Sequence, residues 1–246
     1  MLSFLKNHPF AVEAFFEDSI VLTFAFPKEK LQTLIPECLE LDTLKDTWAF
    51  IAVAMVNTKK LRPKGFPAFI GRDFSLVGYR IFVRYTNTKG KRLRGLYILK
   101  SETDKKMMEL MGNLFTHYSY TTTDFTYKQE TEHLSISSLQ SDFYVDLNTR
   151  NEDIQLPEGS PFKDWKEARR FAGPLPFTFT YKKDTKEVFI IEGVREDWIP
   201  NAIEVKQFHF SFLDALQLGP VLLANAFIIR KIPYYWKKGK IEQWKA

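Results

Sequence analysis

Residues 48–56 form a nearly unbroken apolar run of Trp, Phe, Ile, Val, Met and Ala. A run this short and this apolar predicts a strand covered on both faces. That one strand constrains the whole chain, because both of its sides need apolar partners. The neighbouring segments agree. Residues 74–85 alternate, with Val77, Tyr79, Ile81 and Val83 on one side and Leu76, Arg80 and Phe82 on the other. A turn at 87–90 leads to a strand at 92–99, which predicts a hairpin.

Further strands are expected at 20–26, 118–127, 130–138, 188–191, 203–212 and 221–229, where Val, Ile, Thr and aromatic residues cluster. Helices are expected at 4–16, at 28–35 between Pro27 and Pro36, and at 162–171, with a single turn near 214–218. The clearest helix follows Ser101 to Asp104, a capping-box match, with Met107, Leu110, Met111, Leu114 and Phe115 at helical spacing. Residues 148–159 are polar and turn-rich, and Gly173, Pro174 and Pro176 stop the helix before them. Many strands, few helices and no linker predict one β-rich α+β domain over residues 1–246, built as a barrel or curved sheet.

Composition narrows the function classes. At 15% aromatic, the chain has the material for a generous core or an apolar cavity. A net charge of +5 is too thin for an electrostatic nucleic-acid footprint. No window reaches the roughly 18 apolar residues of a membrane span, and the first nine residues do not read as a signal peptide. The expectation is a cytoplasmic protein without nucleic-acid or membrane partners. Cys38 is the sole cysteine, which excludes an intramolecular disulfide and makes it a small structural hydrophobe. His8, His117, His133 and His209 show no metal-ligand spacing, so neither metal nor cofactor is expected. Hydrolase, phosphate-loop and dinucleotide motifs are absent.

An ordered set of features runs from Leu34 to Tyr120. It comprises Ile35 and Pro36, Leu39 to Asp42, Trp48 to Ile51, Leu61 to Pro67, Gly78 to Val83, Gly95 to Leu99, and a helix ending in Leu114, Phe115, Thr116, His117 and Tyr118. Ala224 to Phe227 and Ile232 to Trp236 close it. This order resembles the domain-of-unknown-function branch of the acetoacetate decarboxylase-like superfamily. The resemblance implies a closed, cone-shaped β-barrel with a central ligand cavity and a few peripheral helices. In the decarboxylases a lysine just after the equivalent helix, in a Gly-x-Pro-Lys-Lys motif, forms an imine with a β-keto acid. Here Thr116 to Tyr120 contain no lysine, and the Pro-Glu often found before the strand arginine is replaced by residues 73–78. The resemblance therefore implies the fold without the usual nucleophile. Its enzymes assemble, which allows a homo-oligomer.

Arg80 is the leading site candidate: a lone guanidinium among apolar neighbours wants an anion. The alternatives are an internal ion pair, for instance with Glu102, or exposure on an outer face, and Arg84 lies on the same side. His117 and Tyr118 occupy the place of the reactive lysine and are the catalytic candidates, as proton donor and hydroxyl donor; a polar helix cap is the plainer reading. Tyr97 and Tyr120 belong to the same expected ligand wall, as do Phe50 and Phe82, while Arg62 either lines the mouth or is solvated. Lys105 and Lys106 read as a solvated helix face, and Lys100 is the one amine worth naming for an imine. Tyr234 to Lys240 interleave aromatics and cations, a pattern that suits anionic lipid or single-stranded nucleic acid, but an exposed strand and solubilising tail is the plainer reading. The expected function is binding of a small organic acid in the cavity, without imine-based decarboxylation. Lyase or hydratase chemistry on a keto acid, and a filled, non-catalytic interaction domain, stay open as alternatives.

Overall fold

In the computed structural model the run at 48–56 begins a longer strand, Trp48–Pro63, nearly all of whose first eleven residues are buried. The structure describes residues 3–150, 154–173, 175–196 and 198–245, so residues 151–153 of the turn-rich stretch and the helix stop at Pro174 lie outside the described residues. The strands are β1 (Val12–Pro27), β2 (Glu40–Leu41), β3 (Trp48–Pro63), β4 (Arg72–Thr86), β5 (Arg92–Thr103), β6 (Tyr120–Thr122), β7 (Thr126–Glu130), β8 (His133–Ser138) and β9 (Phe143–Asn148). There follow β10 (Phe177–Lys182), β11 (Glu187–Arg195), β12 (Asn201–Ala202), β13 (Glu204–Phe210), β14 (Leu222–Trp236) and β15 (Lys240–Gln243). The α-helices are α1 (Lys28–Gln32), α2 (Lys106–Phe115), α3 (Trp165–Ala172) and α4 (Ser211–Ala215). None of the helices is long and apolar enough to cross a membrane.

The larger sheet runs β14-β1-β3-β4-β5-β10-β11, and β11 pairs again with β14 through Val194 and Tyr235, so the pairing forms a ring. Alternation sorts side chains between its two faces. One face holds Ile20, Leu22, Val53, Tyr79, Ile81 and Val83, packed with residues of the second sheet, β13-β9-β8-β7, such as Val145 and Phe210. The other face, toward the middle of the ring, holds Phe16, Phe50, Ala52, Ala54, Phe82 and Phe227. β3 is thus covered on both sides, as its sequence requires. Cys38 lies buried in the first of these clusters.

Several boundaries differ from expectation. Residues 12–16 belong to β1, and the expected N-terminal helix shrinks to a 3-10 turn, Ser3–Asn7. The capping box at Ser101 to Asp104 does not form. Ser101 to Thr103 stay in β5, paired with β4 on one side and β6 on the other. The Asp104 carboxylate accepts the Ser75 N–H at 2.7 Å instead. Sheet pairing outcompetes the local cap because it satisfies both backbone edges of those residues. The tail is also reassigned: Tyr234 to Trp236 are the part of β14 that pairs with β11.

Candidate functional site

A cavity of about 660 Å³ is lined by residues from every strand of the ring and by α2. Its volume follows from side-chain size. Ala52 and Ala54 on β3 and Ser19 on β1 leave the middle of the ring unfilled. Beyond Phe82, the Phe50, Phe82, Phe162 and Phe171 rings pack on one another, with centroids of 5.3 Å for Phe50 and Phe162. The lining residues of the opposite end include Arg72, Asp73, Lys105 and, on α2, Met107, Met108 and Met111. Met107 and Met111 are exposed. The apolar stripe of α2 therefore borders a cavity mouth.

Arg80 points into this cavity. A register shift between Tyr79 and Arg80 interrupts the β4–β5 ladder just where the side chain turns inward. The guanidinium folds back over Gly78, where a Cβ would lie 2.9 Å from Nε. Any larger residue at that position displaces the charge. Among the described residues no carboxylate pairs with Arg80, and its Nε is buried without a partner. The predicted pairing with Glu102 is not made: Glu102 faces the other side of β5 and binds Lys100 at 2.8 Å and the Ser141 hydroxyl at 2.5 Å. What accessible surface Arg80 retains faces the cavity it lines. Burial presses against its charged form, offset in part by the phenols of Tyr120, Tyr234 and Tyr118. Arginine stays protonated under such pressure, so the unmet demand is for an anion.

Tyr118 and Tyr120 reach the same space by local design. The Asn113 side chain clamps Tyr120, accepting its N–H at 2.7 Å and donating to its carbonyl at 2.9 Å. The Tyr120 ring lies against Gly112 of α2, where a Cβ would meet it at 2.4 Å. Ser119 between the two tyrosines takes a positive φ of 50°. Burial raises both phenols, Tyr120 to about 12 and Tyr118 further, despite the opposing charge of Arg80. Both are thus neutral hydrogen-bond donors at ordinary pH. Two residues that sequence reasoning passed over complete the polar group. Arg195 also lines the cavity with an unpartnered Nε, its guanidinium 3.9 Å from the Trp198 ring centroid. Tyr234 lines it too, and its hydroxyl occupies the space that a Cβ on Gly193 would take.

Other expected members lie elsewhere. Tyr97 is not brought to the cavity: it stands on the opposite face of β5, against the first core. Phe50 sits in the aromatic cluster and does not line the cavity. His117 turns away, its ring 4.6 Å from that of Phe189, although it directly precedes the inward Tyr118. Arg62 does line the mouth, but Glu13 pairs with it at 2.7 Å, so its charge is answered. Lys105 borders the mouth beside Asp104 at 3.2 Å, and both it and Lys106 are exposed, the solvated face expected of the pair. Among the described residues no group of three His, Cys, Asp or Glu is placed to hold a metal. A cavity carrying two cations with no acidic partner among the described residues, and three phenols, can fix a carboxylate and donate hydrogen bonds to a neighbouring oxygen.

The fold has known counterparts. The acetoacetate decarboxylase of Legionella pneumophila superposes with a TM-score of 0.63 at 11% identity, over 95% of this chain and 87% of that one. An acetoacetate decarboxylase-like enzyme from Sphingomonas wittichii RW1 gives 0.55 at 13% identity, over 98% and 94%. The enduracididine biosynthesis enzyme MppR, complexed with the condensation product of pyruvate and imidazole 4-carboxaldehyde, gives 0.52 at 8% identity, over 96% and 91%. No protein of curated function matches the sequence. The DUF2071 family model matches residues 13–226, most of the chain, and the protein belongs to that family of uncharacterized conserved proteins.

Proposed function

We propose that the strand ring closes as a cone-shaped barrel and that the protein binds a small organic acid inside it. Arg80 holds the carboxylate, and Tyr118 and Tyr120 donate to it or to an adjacent oxygen. The observation that carries this reading is the cavity-facing guanidinium of Arg80, which has no carboxylate partner among the described residues. Water is its default partner, and an anion displaces that water favourably because charge-assisted hydrogen bonds are the stronger kind. A cavity of about 660 Å³ speaks against a filled, purely structural interior. Arg80→Ala should weaken any carboxylate found by thermal-shift screening by tenfold or more, since a hydrogen bond to a charged group contributes about 1.5–3 kcal/mol. Calorimetric titration reads this directly, and unchanged affinity overturns the assignment.

The fold relatives favour a second reading, lyase chemistry on a keto acid, and MppR in particular is seen with a pyruvate condensation product. Imine chemistry needs an amine in the middle of the cavity. Lys100 faces the other side, in contact with Glu102, and Lys105 lies at the mouth beside Asp104. Borohydride treatment after incubation with pyruvate or a β-keto acid should therefore leave the mass of the protein unchanged. A reduced adduct on either lysine would reinstate the lyase reading.

A further inference from the structure

We infer that the cavity takes an amphipathic carboxylate, its head between Arg80 and Arg195 and an apolar body of about ten carbons running to the methionine-lined mouth. The inference rests on the carboxylate reading above and names the class of acid. Three observations carry it.

The first is volume. A keto acid of six or seven non-hydrogen atoms fills at most roughly 200 Å³, counting each atom as large as a water at about 30 Å³. The cavity is about 660 Å³. A short acid would leave most of it to water, against walls such as Val21, Val56, Leu76, Ile98 and Phe227 that offer no hydrogen bonds.

The second is the pair of cations. Arg195 comes from β11, across the ring from β4, and its charged form is pressed by burial and by the charge of Arg80. Neither guanidinium has an acidic partner among the described residues, and both keep a buried Nε unbonded. Two such cations near one another are matched by one carboxylate offering an oxygen to each. A polar ligand without charge would leave that repulsion in place.

The third is direction. Along β4 the cavity is lined by Phe74, Leu76, Arg80 and Phe82, with the Arg80 side chain covering Gly78. From Leu76 to Arg80 the strand covers roughly 13 Å at about 3.3 Å per residue, the reach of about ten extended carbons. Beyond Phe82 the aromatic cluster blocks the way, so the body of the ligand extends toward α2. There Met107 and Met111 lie exposed beside Phe10, itself exposed. Thioether side chains adapt to a flexible apolar ligand and gain from covering it.

Calorimetric titration of the full chain with butyrate, octanoate, decanoate and decanol tests the inference. Affinity should rise about fourfold per added methylene, the equivalent of about 0.8 kcal/mol each, and decanol should bind at least tenfold more weakly than decanoate. Arg195→Gln should weaken decanoate tenfold or more. Met111→Glu, at an exposed position that folding tolerates, should weaken decanoate more than butyrate. If butyrate binds as tightly as decanoate, the amphipathic class is overturned while the carboxylate reading stands. If decanol matches decanoate, the anionic head is overturned. If no carboxylate of any length binds, the reading of Arg80 falls and this inference with it.

Discussion

Asp42→Ala should lower the thermal midpoint of the protein by roughly 6–12 °C. The Asp42 carboxylate is completely buried and answers two arginines, Arg84 and Arg94, the latter at 2.6 Å. Its backbone N–H also bonds to Phe82 at 2.9 Å, tying the β2 region to β4. Arg94 in turn donates to the Phe171 carbonyl at 2.8 Å and lies over the Phe171 ring. One carboxylate thus links β4, β5 and α3 at the aromatic end of the cavity. Removing it leaves two facing cations without a counterion, a change that costs about 3–5 kcal/mol when both are buried. Both arginines keep some contact with water, at 25% and 35% exposure, so the low end applies. About 3 kcal/mol in a chain of this length corresponds to a shift of about 2–4 °C per kcal/mol. Asp42→Asn, which keeps the shape and one acceptor, should fall between the variant and the parent. A shift under 3 °C for Asp42→Ala would show that the cluster is solvated in solution and does not hold α3.

How much of this was legible beforehand depends on how local each signal is. The alternation of residues 74–85 is local, and it placed Arg80 on the same side as Leu76 and Phe82, where β4 carries them. The position of Tyr118 and Tyr120 just past a helix was readable for the same reason, since Met107 to Phe115 have an unmistakable helical period. Arg195 and Tyr234 were not readable. They meet only because β11 pairs with β14, a contact between segments some forty residues apart that no window of sequence contains. One cue did exist: Gly193 sits inside a strand-like run, and an interior strand glycine marks a close approach, here that of the Tyr234 hydroxyl. His117 and Tyr97 failed for the opposite reason. Each is adjacent in sequence to a cavity residue: Tyr97 lies on a strand, where neighbours face opposite ways, and His117 lies in the bend after α2, where no strand alternation fixes its direction. The capping box failed because a motif of four residues cannot report that two strands already claim them.

Acidification from pH 7 to pH 4.5 should destabilise the protein by roughly 2 kcal/mol through His8 alone. His8 is 6% exposed and its Nε2 has no hydrogen-bond partner. Its backbone is fixed on both sides, donating to Phe115 at 3.1 Å and accepting from Gly239 at 2.9 Å, so the ring cannot leave for water without loosening α2. Burial lowers its pKa from 6.5 to about 4. The unfolded chain therefore binds the proton first as pH falls, and stability that is whole above about 6.5 declines until about 4. A drop of about 2.5 units at about 1.4 kcal/mol per unit sets the full size, of which about two thirds falls between pH 7 and 4.5. His117 adds to it with the same sign, lowered to about 4 by burial and then by the charges of Lys182 and Lys6. Asp124 acts in a separate window, because its hydrogen bonds hold it at about 2 and its share is lost only below the ordinary carboxylate range. Asp18, raised by burial, opposes the trend near the bottom of the window. Urea unfolding at pH 7, 5.5 and 4.5 measures the slope. His8→Asn isolates the residue, since asparagine tolerates the positive φ of 51° found there and does not titrate. The variant should lose about half of the slope between pH 6.5 and 4.5, His117 keeping the rest; an unchanged slope would place the proton elsewhere.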